Sequence, residues 1–101
     1  IPIYHAVVEQ VLREAMAIQE ILAYQGLKEV EAKISGDIPD VMQDIRDHVD
    51  AFCQACQRML RYDGQNEVSL AEEGLTMAEA AVRDMEETEA EIKEIKRSSG
   101  R

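Results

Sequence analysis

The clearest hydrophobic pattern lies in the middle of the chain, where the spacing between apolar residues alternates between four and three positions. Seven residues follow it: Ile38, Met42, Ile45, Val49, Phe52, Cys56 and Met59. This heptad spacing keeps one face of an α-helix against its neighbours, as in a coiled coil. We therefore predict a long amphipathic helix over residues 38–62.

The same spacing continues in the two flanking segments. The first segment carries it at Tyr4, Val8, Val11, Ala15, Ile18 and Leu22, then one position later at Ala23, Leu27, Val30 and Ile34. The third carries it at Leu75, Ala78, Val82 and Met85. The one-residue shift brackets Gly26, where we predict a bend. The polar stretch from residue 86 to 91 is expected to be solvated on most sides.

Residues typical of helix ends divide the chain at two places. Gly36 and Gly64 supply the left-handed conformation that commonly follows a helix. Asp37 is placed to cap the second helix, and Ser69 with Glu72 matches a capping box at the start of the third. The boundaries predict one domain over residues 1–97 with helices at 3–34, 38–62 and 70–97, or four helices if the first breaks at Gly26. Residues 98–101 are expected to be a flexible tail or a non-native remnant.

Short connections make successive helices antiparallel, so the predicted fold is an all-α, up-down-up bundle with coiled-coil-like packing. At about 1.5 Å per residue, the first helix would outrun the second by roughly 12 Å. The overhanging start, IPIYHAVV, is apolar on more than one face. We therefore predict that Ile3, Tyr4, Val7 and Val8 bind a partner helix or a second copy of the chain.

Charge narrows the choice of partners. The 101 residues contain 11 Lys and Arg against 21 Asp and Glu, a formal net charge of -10. Nucleic acids and anionic membrane surfaces would repel such a chain, so neither is expected as a partner. A second hypothesis follows, in which the protein is an acidic regulatory or chaperone-like factor that covers a basic surface of another protein. No apolar run reaches the roughly 20 residues of a membrane span, and a cytoplasmic location is expected.

One short stretch invites a chemical interpretation, because His48, Cys53 and Cys56 lie within nine positions. C-x-x-C is a spacing of redox dithiols and of zinc sites, so a thiol switch or metal site is a third hypothesis. On a helix, however, His48 lies about 140° around the axis from Cys53. Both cysteines also fall in mid-helix, where no helix N-terminus lowers a thiol pKa. Packing is the favoured interpretation. Cys56 belongs to the heptad seam, the row of apolar residues from Ile38 to Met59 on one helix face, and Cys53 lies at the edge of that seam.

Other catalytic patterns are missing from the sequence. Asp40, Asp44 and Asp47 form a carboxylate stripe, but it faces away from the heptad seam and is expected to be solvated. No Glu-x-x-His pair, phosphate loop or activated nucleophile occurs. We expect no enzyme activity, no cofactor and no metal.

Overall fold

The computed structural model describes residues 2–34 and 36–99 of the chain, and these are arranged in four helices. The helices are α1 (Pro2–Leu22), α2 (Gln25–Glu31), α3 (Ile38–Leu60) and α4 (Ser69–Ser99). The predicted all-α bundle is confirmed, and the described ranges contain no strand. None of their helices is long and apolar enough to span a bilayer.

The first predicted helix is divided in two, so the four-helix alternative is the one observed. The break lies at Ala23 and Tyr24, just before Gly26, which is inside α2. A partly buried ion pair between Glu31 and Arg46 connects α2 to α3. Arg46 also donates from Nε to the carbonyl of Leu22, 2.9 Å away, and so satisfies one carbonyl at the end of α1. Leu22 and Glu31 are nine positions apart, so a continuous helix would separate them by about 14 Å along its axis, too far for this arrangement around one guanidinium.

The break removes the predicted overhang at the start of the chain. At 21 and 23 residues, α1 and α3 are nearly equal in length, so the start of α1 reaches the end of α3. The Tyr4 hydroxyl donates to the carbonyl of Met59 at 3.1 Å, and His5 Nε2 lies 2.6 Å from the carbonyl oxygen of Tyr62. The expectation that this helix end lacks a partner within the chain is therefore wrong.

The longest helix is α4, which has 31 residues. It starts at Ser69 and extends two residues past the predicted end, through Ser99, whereas Gly100 and Arg101 of the predicted tail lie outside the described residues. The Ser69 hydroxyl contacts Glu67 Oε2, and the Glu72 amide donates to Val68, so the predicted capping box does not form. Asp37 likewise makes no side-chain capping bond, although it precedes α3.

Three long helices form a single layer with α3 in the middle. Both α1 and α4 pack mainly against α3, and the interface between α3 and α4 is the larger of the two. The molecule measures 56 × 25 × 17 Å, with a radius of gyration of 16.4 Å against about 13 Å for a compact domain of this length. The bundle is therefore flat and open, and one side of the layer has no fourth long helix over it in the part of the chain described.

The central position of α3 buries more of its surface than one heptad seam predicts. Val41, Val49, Cys53, Ala55 and Cys56 are buried, while the other predicted seam residues are half-buried. Cys53 is only 3% exposed and belongs to the core, so its predicted place at the edge of the seam is wrong. A helix with neighbours on both sides buries a wider face than one heptad seam, and that face includes Cys53 beside the seam residue Val49.

Candidate functional site

An apolar groove runs between α1 and α4, and α3 forms its floor. Its volume is about 550 Å³, and apolar atoms make up most of its surface. Val7 and Val11 form the α1 wall, Leu75 and Val82 form the α4 wall, and Phe52 lies on the floor. Val8, Cys56, Met59, Ala78, Glu79 and Arg83 complete its lining.

The groove exists because α4 approaches α3 through small residues. Gly74, Ala78 and Ala81 are buried, at spacings of four and three, and Thr88 lies on the same face. A Cβ atom added to Gly74 would overlap Met59 Cγ and lie 3.0 Å from the carbonyl oxygen of Ala55. Glycine thus permits this close contact between α3 and α4, since a larger residue would force Met59 and the Ala55 backbone to shift.

The bulky residues of the predicted α4 seam consequently lie at its side. Leu75 is 50% exposed and Val82 is 41% exposed, so their predicted burial in the core is wrong. Ala78 is buried and Met85 packs on the core, as predicted. Leu75 and Val82 instead form an apolar wall that no described residue covers completely.

The structure separates the four residues predicted to bind a partner into two pairs. Tyr4 is half-buried and held by its bond to Met59, and Val8 is buried against α3. Ile3 and Val7 are 81% and 57% exposed. Ile1, also in the apolar start, lies outside the described residues. Val7 is the member of the set that is both exposed and part of the groove.

The seam predicted for the first segment is also partly wrong from Ala15 onwards. Ala15 and Leu22 are buried and Leu27 packs on the core, but Ile18, Val30 and Ile34 are exposed. A second concave surface follows the break between α1 and α2, lined by Ala17, Glu20, Ile21, Tyr24, Gly26, Leu27 and Val30. It is wider and more open than the groove.

The structure does not assemble His48, Cys53 and Cys56 into a reactive site. His48 Nε2 lies 3.1 Å from Thr88 Oγ1, and Thr88 is 3% exposed although it lies in the stretch predicted to be solvated. Both cysteines are free and buried. Burial raises the pKa of both thiols, and for Cys53 the proximity of Cys56 and Asp50 adds to the rise. Such thiols are poorer nucleophiles and metal ligands at neutral pH.

The carboxylate stripe on α3 faces away from the core. Asp40 and Asp47 are exposed, Asp44 is half-buried, and Asp47 accepts a bond from Gln43. Within residues 2–34 and 36–99, no three His, Cys, Asp or Glu side chains lie close enough together to hold a metal ion. The groove, in contrast, is a concave surface lined mostly by apolar atoms.

Comparison with known proteins adds no relative to this description. No family model, no curated protein and no solved structure matches the chain. The class that the fold defines is an open, all-α helical bundle with an apolar groove between α1 and α4.

Proposed function

We propose that the protein is a non-enzymatic interaction module that binds a helix of another chain in the groove between α1 and α4. The single observation that carries the proposal is the pair of exposed apolar walls, Val7 on α1 and Leu75 with Val82 on α4, on either side of a floor formed by α3. In a four-helix bundle a fourth helix would fill this position. Helix-in-groove binding uses surfaces of this kind.

The size of the uncovered surface supports the same proposal. The accessible area is 7085 Å², whereas a compact protein of 11.4 kDa exposes about 5,800 Å². The excess, about 1,300 Å², is larger than the roughly 800 Å² that each partner contributes to a stable interface. A helix seated in the groove would cover part of this excess and fill the open side of the layer.

A second candidate is the acidic factor that covers a basic surface of another protein, favoured by the net charge of -10. Charge attraction would drive binding in this second candidate, whereas burial of apolar side chains would drive it in the first. Charge-driven binding weakens steeply as salt rises, whereas an apolar contact tolerates salt. We place either activity in the cytoplasm, with which two free cysteines are compatible.

Selection from a display library of helical peptides tests the proposal without a known partner. We expect enrichment of peptides with apolar residues at i, i+3 or i+4, and i+7, which bind the wild-type chain. The double variant Leu75→Gln/Val82→Gln should weaken their binding about tenfold or more, since it removes the α4 wall without adding charge. Both side chains are about half-exposed, so the fold should survive, as circular dichroism would verify.

Met77→Gln is the matched control, because Met77 is an exposed residue of the same helix outside the groove. It should leave peptide binding within about twofold of wild type. If selection enriches no helical pattern, or if the double variant and the control bind the selected peptides equally well, the groove is not a helix-binding site. Val8→Glu is unsuitable for this test, because Val8 is buried and its charge would disrupt the fold.

A further inference from the structure

We infer that the occupant of the groove is a basic amphipathic helix from a different protein, in which Lys or Arg residues flank a short apolar stripe. This inference rests on the proposed function and specifies the chemistry of the partner. Three observations support it: the length of the apolar wall, the carboxylates beside it and the charge of the whole chain.

The apolar wall fixes the length of the contact. Leu75 and Val82 are seven residues apart on α4, which is two turns or about 10 Å. Across the groove, Val7 and Val11 extend over about one turn of α1. An incoming helix with apolar residues at i, i+3 or i+4, and i+7 covers the same two turns. The stripe on the partner need not be longer than three such residues.

Carboxylates follow the apolar wall along α4. Glu79 lines the groove between Leu75 and Val82, and Glu86 comes one turn after Val82 on the same side of the helix. Both are exposed, and the structure gives neither an ion pair among the described residues. Arg83 is the one cation in the groove lining. Basic residues beside the apolar stripe of a partner would meet these carboxylates.

The charge of the chain also argues against a second copy as the occupant. Two copies would bring together two chains of net charge -10 each. Within α4 alone, nine Asp and Glu oppose four Lys and Arg, and α4 forms one wall of the groove. Like-charge repulsion of this kind disfavours a dimer built on the groove, and it favours a cationic partner at long range.

Three synthetic helices of about 18 residues test the inference, all with the same Leu stripe and with Lys, Glu or Ser at the flanking positions. Their binding to the full chain is measured by fluorescence polarisation at about 50 and about 300 mM NaCl. We expect the Leu/Lys helix to bind at least about tenfold more tightly than the Leu/Glu helix at low salt. Its affinity should fall severalfold at the higher salt concentration while remaining measurable.

Two variants separate the apolar contribution from the charged one. Leu75→Gln/Val82→Gln should weaken Leu/Lys binding about tenfold with no change of charge. Glu79→Gln/Glu86→Gln should weaken it about three- to tenfold and reduce its salt dependence. Met77→Gln is again the control and should change affinity less than about twofold. A Leu/Lys peptide of the same composition but without helical periodicity should bind at least about tenfold more weakly.

The contrary outcomes distinguish a wrong partner chemistry from a wrong binding site. Equal binding of the Leu/Lys, Leu/Ser and Leu/Glu helices would overturn the basic partner and leave the groove as a helix-binding site. If the Leu/Lys helix binds Leu75→Gln/Val82→Gln as tightly as wild type, the peptide binds elsewhere on the acidic surface and the inference is overturned. Failure of all three helices would count against the proposed function itself. A dimer of micromolar affinity or tighter that this double variant dissociates, seen by sedimentation equilibrium, would make a second copy the occupant.

Discussion

Arg46 and Glu31 form a polar pair that connects α2 to α3 beside the core. Arg46 Nη1 donates to Glu31 Oε1 at 2.8 Å, and a second contact joins Nη2 to Oε2. This hydrogen bonding lowers the pKa of the Glu31 carboxyl, against the opposing effect of its burial. The ionised carboxylate of Glu31 is therefore more stable, relative to its protonated form, in the folded chain than in the unfolded chain.

A depressed carboxyl pKa makes the stability of the fold depend on acid. The contribution of Glu31 is present above its unfolded pKa and is lost as pH falls through its lower folded pKa. We expect Glu31→Gln to lower the urea midpoint at neutral pH, and the difference from wild type to narrow below about pH 4. Glu29→Gln, on the exposed side of α2, is the matched control. A difference that stays constant down to pH 2 would show that the ion pair is not its source.

The two cysteines should be inert in the folded protein. Both are 3% exposed, and burial raises the pKa of both thiols, so the reactive thiolate is scarce and shielded. We expect both thiols to react with a disulfide reagent at least about tenfold more slowly in the native protein than in concentrated urea. Fast reaction of both thiols in native buffer would restore the thiol-switch hypothesis.

At the level of helix packing, the close contact between α3 and α4 depends on Gly74. Gly74→Ala should gain up to about 1 kcal/mol from better helix propensity. It should lose about 1 to 3 kcal/mol because the new Cβ overlaps Met59 and approaches the backbone of Ala55. We expect a net loss of about 1 to 2 kcal/mol in the free energy of unfolding, measured by urea titration.

Gly26→Ala is the control for this prediction. An added Cβ there meets the ring of Tyr24, which is 67% exposed and free to turn away. Its stability should be unchanged or raised by up to about 1 kcal/mol. If both variants are equally stable, the close approach of α3 and α4 is not constrained by Gly74.

Hydrophobic periodicity predicts the helices well and their packed faces less well. Apart from the break between α1 and α2, the element boundaries agree to within a few residues, because Gly36 and Gly64, both with positive φ, lie in the connections that follow α2 and α3. The face of α4 is different, since its contacts use Gly74 and Ala81, which carry little hydropathy signal. Periodicity selects Leu75 and Val82 instead, the two residues that the fold leaves beside the groove.

The candidate site could not be located from sequence for the same reason. Val7 is correctly placed on an exposed apolar surface, but its companions lie on α3 and α4, about 45 to 75 positions further along the chain. The break between α1 and α2 makes α1 nearly as long as α3, so that Val7 at the start of α1 lies beside these residues. At that break Arg46 contacts both Glu31 and the Leu22 carbonyl, and these are tertiary contacts without a local sequence signature.

The molecule as a whole carries a charge that opposes its own folding. The net charge is -10, and the structure contains four ion pairs among the described residues. Added salt screens repulsion between exposed carboxylates more than it weakens these few pairs. We expect the melting temperature to rise by about 4 °C or more between low and moderate NaCl, measured by circular dichroism. A melting temperature that falls with salt would show that ion pairs outweigh the repulsion.

The hydrogen bonds from Tyr4 and His5 to Met59 and Tyr62 connect residues more than fifty positions apart. During synthesis α1 is translated before α3, so Met59 and Tyr62 are added 55 and 57 residues after Tyr4 and His5. At about 5 to 20 residues per second, the delay is about 3 to 11 s. For that time the start of α1 lacks its docking surface, and Val8, which the finished fold buries, stays exposed.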